Sequence, residues 1–152
     1  MSGTNARKPA AIVAVSKGYV SDPSSLITNI MMPEEFLNSY VEKFNAGNLS
    51  SLIDMYETDA CFVVQPGQII YGLKNIRQSL QDFIAMNGNL ESQVKGVIQT
   101  SNLALVNTIW SFRGTGPDGK PVNISGRATD LLRQQSDGSW RIVIDNQWDT
   151  AL

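Results

Sequence analysis

The apolar positions of this chain change period twice. Residues 1 to about 30 are rich in Ser, Ala, Gly and Pro and show no sustained repeat, which predicts an arm ahead of a domain spanning residues 31–152. From Pro33 the spacing becomes helical: Phe36, Leu37, Tyr40, Val41 and Phe44 fall on one face, Pro33-Glu34-Glu35 suits a first turn, and Gly47 ends the run. A second, short helix is expected next, with Asn48 or Ser50 as its cap and Leu52, Ile53, Met55 and Tyr56 on its buried side. Cys61 to Val64 reads as a strand closed by Gln65-Pro66-Gly67. Tyr71-Gly72 then leads into a third helix carrying Ile76, Leu80, Phe83 and Ile84 at helical spacing, and Asn87-Gly88-Asn89 stops it.

Beyond that point the period falls to two, and strands are expected over about 90–100, 103–113, 121–134 and 139–148. Pro117-Asp118-Gly119 and Ser136-Asp137-Gly138 are tight-turn signals between the last three, so these should be consecutive antiparallel neighbours. Helices followed by a meander make an α+β layout in which one face of a strongly curved sheet wraps the helices. The other face also carries apolar residues and needs cover, which predicts a homodimer.

Composition narrows the function. At 152 residues, with 42% hydrophobic and 17% charged, the chain suits one globular domain. It has no histidine, which excludes Ser-His-Asp and Cys-His nucleophile systems and every His-containing metal site. Cys61 is the only cysteine, so an internal disulfide, a thiolate zinc site and a redox pair are excluded too, and an inert thiol is expected. The net charge of −2 comes without a Lys/Arg cluster, which argues against nucleic acid as a partner. No run of apolar residues is long enough to span a bilayer, and the stretch after Arg7-Lys8 is too short for a signal peptide, so a cytoplasmic protein is expected. Gly114-Thr115-Gly116-Pro117-Asp118-Gly119 matches a dinucleotide-binding pattern letter for letter, but a strand rather than a helix follows it, so it reads as a hairpin. No metal or cofactor is expected.

What remains is acidic chemistry inside strands, where carboxylates are uncommon. A two-residue turn at Asp137-Gly138 would set Asp130 directly opposite Asp145, with both side chains on one face. Carboxylates about 5 Å apart repel by roughly 3 kcal/mol at an effective dielectric of 20, enough to keep one of them protonated near neutral pH. A protonated acid beside a carboxylate can donate a hydrogen bond to a developing oxyanion while its neighbour takes a proton. A three-residue loop with a bulge at Gly138 would instead slip the register by one and turn Asp145 to the other face. Tyr40 shares its helical face with Phe36 and Phe44, so its hydroxyl needs a partner. Spacing alone does not say whether the aromatic residues, Tyr56, Phe62, Phe83, Trp110, Phe112 and Trp148, line a pocket or fill a core. Arg113 and Arg127 suit either counterions or contacts on the outer face.

The element order, together with Tyr40-Val41-Glu42-Lys43-Phe44-Asn45-Ala46-Gly47-Asn48-Leu49, Tyr56-Glu57-Thr58-Asp59-Ala60, Tyr71-Gly72 and Gly126-Arg127-Ala128-Thr129-Asp130 through Arg141, resembles the SnoaL-like, ketosteroid-isomerase-like superfamily over residues 33–149. The ending Val143-Ile144-Asp145-Asn146-Gln147-Trp148 is similar to a bacterial SnoaL-like branch. The resemblance implies a cone with a deep apolar pocket and a dimer formed through the outer sheet face. Ketosteroid isomerases use a tyrosine and a protonated aspartate as oxyanion donors and a second aspartate as base. Matching the strings puts Tyr40 at the tyrosine, Asp130 at the protonated aspartate and Val64 at the base, so the isomerase base is missing.

The resemblance therefore implies a small apolar, oxygenated ligand in a conical pocket lined by Phe44, Tyr56, Phe62, Val64, Phe83, Trp110, Val143 and Gln147. Tyr40 or Asp130 would donate and Asp145 would accept in a cofactor-free isomerisation, cyclisation or hydration. The alternative is a non-catalytic ligand-binding or association module.

Overall fold

The computed structural model of the chain describes residues 30–149, so nearly all of the expected arm lies outside the described residues. The elements are α1 (Pro33–Asn45), α2 (Leu49–Ile53), β1 (Tyr56–Gln65), β2 (Gln68–Tyr71), α3 (Gly72–Ile84), β3 (Asn89–Gln99), β4 (Leu103–Thr115), β5 (Pro121–Gln134) and β6 (Trp140–Asn146). Pro33 opens α1, and Glu35 reaches back to accept from the Met32 amide at 2.9 Å. The Asn48 side chain caps α2 by accepting from the Ser51 amide at 3.2 Å.

The six strands form one sheet in the order β2-β1-β6-β5-β4-β3. All neighbours are antiparallel except β1 and β6, which run parallel. Strand alternation sends Ala104, Val106, Thr108, Trp110 and Phe112 of β4 inward, where they meet Phe36, Tyr40 and Phe44 of α1 and Ile76 and Leu80 of α3 in one core. The Phe112 ring lies edge-on to Phe44 and Phe83, with centroids 6.0 and 5.9 Å away. The architecture is the expected α+β cone.

Three local readings differ from the sequence expectation. Tyr56 is the first residue of β1 rather than the last buried position of α2, because its strand pairs with β6 from Tyr56↔Ile142 onward. Gln68–Tyr71 forms a short strand, β2, hairpinned onto β1 through Pro66 and Gly67 (φ 75°) where only a turn was expected. The third difference fixes the site.

The β5–β6 turn is not the two-residue form. Gly138 sits at φ 87°, its amide bonds to the Gln135 carbonyl, and the strands start out paired as Gln134↔Trp140, Arg133↔Arg141 and Leu132↔Ile142. This register buries Trp140 and Ile142 and leaves Arg141 in solvent; the two-residue form would do the reverse. Left alone, it would turn Asp145 outward. A β-bulge intervenes, because the next pair is Leu131↔Ile144 and Val143 is the extra residue. Parity is thereby restored, and continuing that register brings Asp130 opposite Asp145 with both side chains buried.

The bulge at Val143, rather than the turn itself, sets the facing of Asp145. Gly138→Ala should therefore strain the turn and cost about 1–2 kcal/mol, seen as a Tm drop of several degrees, while the carboxyl titration of Asp145 stays unchanged by NMR.

Candidate functional site

A cavity of about 50 Å³ opens between α1 and the concave face of the sheet. Leu37, Tyr40 and Val41 of α1 form one wall, and Leu90 and Ser92 of β3 with Thr108 and Trp110 of β4 form the second. The third is Ala128 and Asp130 of β5 with Ile142 and Asp145 of β6, closed by Gln147. An apolar recess of about 20 Å³ adjoins it, sharing Tyr40, Leu90, Trp110 and Gln147 and adding Phe44, Leu80, Phe83 and Phe112. Trp110 is held at this junction: its indole N–H donates to the Gln147 carbonyl at 2.9 Å, its ring stands edge-on to Trp148, and a side chain at Gly126 would come within 3.1 Å of it.

The acids at its centre are deeply buried, Asp130 at 8% and Asp145 at 5% exposure. Burial, reinforced by the charge of Asp145, holds the Asp130 carboxyl well above the ordinary carboxylate range. Burial also pushes Asp145 up to about 6, against the pull of hydrogen bonds from Tyr56 and Asp130 that favour its charged form. Because Asp145 is the acid that accepts from Tyr56, a proton shared by the pair belongs on Asp130. The amide of Asn146 donates to Asp130 Oδ1 at 3.0 Å, which fixes the carboxyl and leaves its other oxygen to carry the proton.

Two tyrosines complete the network. The Tyr56 hydroxyl donates to Asp145 Oδ2 at 2.6 Å and lies 2.9 Å from the Tyr40 hydroxyl. Since Tyr56 has committed its proton to a carboxylate, Tyr40 donates to Tyr56 in the resting state. Burial, and next the charge of Asp145, raise both phenols well above 10, so neither ionises. No Lys or Arg lines the cavity. Arg113 and Arg127 lie on outward positions of β4 and β5, where they are exposed and cannot be counterions to the pair.

Of the residues singled out in the sequence, Tyr40, Asp130, Asp145, Trp110 and Gln147 line the main cavity, and Phe44 and Phe83 line the recess. Four stand elsewhere. Tyr56 is behind the wall as a hydrogen-bond partner, Phe62 is fully buried core, Val64 packs against the core and accepts from the Trp148 indole at 3.3 Å, and Val143 is the bulged residue. Sequence reasoning passed over Thr108 and Ser92. A signal existed for Thr108, the one hydroxyl in the inward row Ala104, Val106, Thr108, Trp110, Phe112. Among the described residues no cluster of three or more Asp, Glu or Cys could hold a metal, and no helix is long and apolar enough to cross a membrane.

The SnoaL-like domain model matches residues 37–143, most of the described fold. The chain belongs to the SnoaL-like domain family. Solved structures of similar fold include a ketosteroid isomerase-like protein from Erwinia carotovora (18% identity, 79% of this chain and 95% of that one, TM-score 0.66). A nuclear transport factor 2-like superfamily protein from Salmonella enterica is comparable (17%, 74% and 84%, TM-score 0.65). So is a Streptomyces avermitilis protein provisionally called a dehydratase of that family (18%, 72% and 88%, TM-score 0.60). At such identities the likeness is one of fold. No curated protein sequence matches this one.

Two measurements check the electrostatics. Tyr56→Phe removes a donor to the charged form of Asp145 and should raise its midpoint above 6 by about one pH unit in a carboxyl NMR titration. Asp145 keeps its proton to about pH 6 when folded but only to its ordinary 3.8 when unfolded. Its contribution to stability is therefore fully present below about pH 4 and is lost as pH rises to about 6; Asp145→Asn should remove this part of the fall in denaturant titrations and leave the part contributed by the raised Asp130 carboxyl.

Proposed function

We propose that this SnoaL-like domain binds a small, mainly apolar, oxygenated molecule and moves a proton on it without a cofactor. The observation that carries this reading is the Asp130–Asp145 pair, two buried carboxyls both held above the ordinary carboxylate range, inside one cavity with Tyr40 on the facing wall. The ligand oxygen accepts from the Asp130 carboxyl or from the Tyr40 hydroxyl. Asp145 takes a proton from the adjacent carbon, the C–H electron pair becomes the new C=C bond, and the carbonyl π pair moves onto the oxygen facing its donor. Reprotonation at another carbon completes an isomerisation; attack on or loss from the same intermediate gives cyclisation, hydration or dehydration. Phe44, Phe83, Trp110 and Gln147 hold the apolar part. The isomerase-like and dehydratase names carried by structural neighbours support this class of chemistry.

The cavity has space for about four water-sized groups, so a larger ligand extends into the adjoining recess. The smallest substrate that engages both acids is a simple ketone. In D₂O at pD 7.5 the protein should speed loss of the α-proton NMR signals of 2-butanone above the buffer rate. Asp145→Asn should reduce that rate 100-fold or more and Asp130→Asn by 10-fold or more. Exchange at the buffer rate would leave a binding module.

A second reading, association, has its own observation. On the convex face, paired positions carry Ile98, Leu105, Leu131, Ile144, Cys61 and Tyr71 in one row across all six strands, and Ile98 and Tyr71 are each 65% exposed. We read this row as a homodimer face. Light scattering should give twice the chain mass, and Leu131→Arg at the middle of the row should return the monomer.

A further inference from the structure

We infer that Thr108 is a further binding residue of this site, its hydroxyl joining Asp130 to receive a neutral carbonyl-type oxygen, and that the cavity rejects carboxylates. The inference rests on the reading of this cavity as a ligand site. Thr108 is 5% exposed and lines the cavity from β4, two residue pairs along the ladder from Asp130 and on the same face, since Val106 pairs with Asp130 and Thr108 with Ala128. Among the described residues its hydroxyl makes no hydrogen bond, and since no fully occluded side-chain polar atom there lacks a partner, the hydroxyl keeps a small exposure. Thr108 borders that cavity on one side and an outer pocket with Lys95, Arg127 and Asp149 on the other, and under this inference the cavity is the side its hydroxyl serves.

A structural explanation for Thr108 is weak. A buried hydroxyl without a partner is destabilising, and an apolar residue of the same shape would be neutral or better. Valine is that residue, and the other inward positions of β4 are all apolar. The hydroxyl has value only if something in the cavity bonds to it. Its chemistry is that of a neutral donor, as is that of the protonated Asp130, while the charge beside them is the Asp145 carboxylate with no Lys or Arg on any wall. The other titratable groups facing the pair are Tyr40 from α1 and Tyr56 from β1, both neutral; β3 and β4 present none. Two neutral donors beside an uncompensated negative charge suit the oxygen of a ketone, aldehyde or amide and oppose an incoming anion.

The test is a titration of 2-butanone and of propionate, which has the same number of non-hydrogen atoms, at pH 7.5. The Trp110 indole N–H resonance in a ¹H–¹⁵N spectrum is the reporter. Thr108→Val should melt no lower than the wild type yet bind the ketone 5- to 30-fold more weakly, and Thr108→Ser should stay within 3-fold of the wild type. Propionate should bind at least 10-fold more weakly than the ketone. A Thr108→Val variant that is destabilised or unfolded, or that binds the ketone as the wild type does, overturns the role of Thr108, and equal binding of propionate overturns the charge selection. If Thr108→Val leaves ketone binding intact while Asp130→Asn removes it, only this inference fails; a ketone that shifts no resonance of the wild type takes the ligand-site reading down with it.

Discussion

Two carboxyl groups confined in one enclosed space without a cation dictate the rest of the site. At the separation of directly opposed strand residues their mutual repulsion is roughly 3 kcal/mol, and burial at 8% and 5% exposure adds a desolvation cost to every charge they carry. Both effects oppose a second negative charge in the pair. The retained charge is then spread by hydrogen bonds: Tyr56 donates to Asp145, Tyr40 stands behind Tyr56, and the Asn146 amide fixes the neighbouring acid. An arginine on any of these walls would favour the charged form of both acids and work against a proton being kept on Asp130. The chain places its β4 and β5 arginines outward instead.

That arrangement depends on how the last strand is threaded. Trp140 and Ile142 must face the core, and Asp145 must too, yet the spacing between Ile142 and Asp145 is odd and a regular strand cannot satisfy both. The bulge at Val143 resolves the conflict at the cost of one unpaired residue. Gly138 in a left-handed conformation allows the longer turn that starts the register, and Gly126 gives the Trp110 ring space to lie against β5. Each of these backbone features is local, and each has its effect at the cavity.

Much of this was legible in the sequence. The helix and strand periods of residues 33–53 and 72–146 were plain because each element buries one face of a regular repeat, and the two acids stood out against an apolar strand background. The common facing of Asp130 and Asp145 was reached through a turn the chain does not use: the Ser136-Asp137-Gly138 signal fits two loop lengths, and only the competition between Trp140 and Arg141 for the interior separates them. β2 was missed because it is four residues long and its hydrogen bonds come from β1 rather than from its own pattern. The aromatic residues were not separable into wall and core, since Phe62 and Phe83 look alike in sequence and differ in which face of a curved sheet or helix the cavity touches. Thr108 was available as the polar break in an apolar row, a quieter signal than an aspartate because threonine is common in strands.

The placement of acid and base on adjacent strands has a consequence for how any ligand must enter. In the resting site the Asp130 proton is already engaged by Asp145, and the Tyr40 proton by Tyr56, so both donors are satisfied before anything binds. A ligand oxygen must take over one of these bonds. Taking the Asp130 proton withdraws a hydrogen bond from the Asp145 carboxylate, which makes that carboxylate more basic at the moment a base is needed. Tyr56 continues to hold Oδ2 throughout, so the change in basicity occurs without loss of orientation. A site of this kind couples binding to activation through a single proton. That coupling requires the acid and base to be neighbours on one wall, which Asp145 on β6 permits and an aspartate at Val64, whose side chain packs into the core from β1, would not.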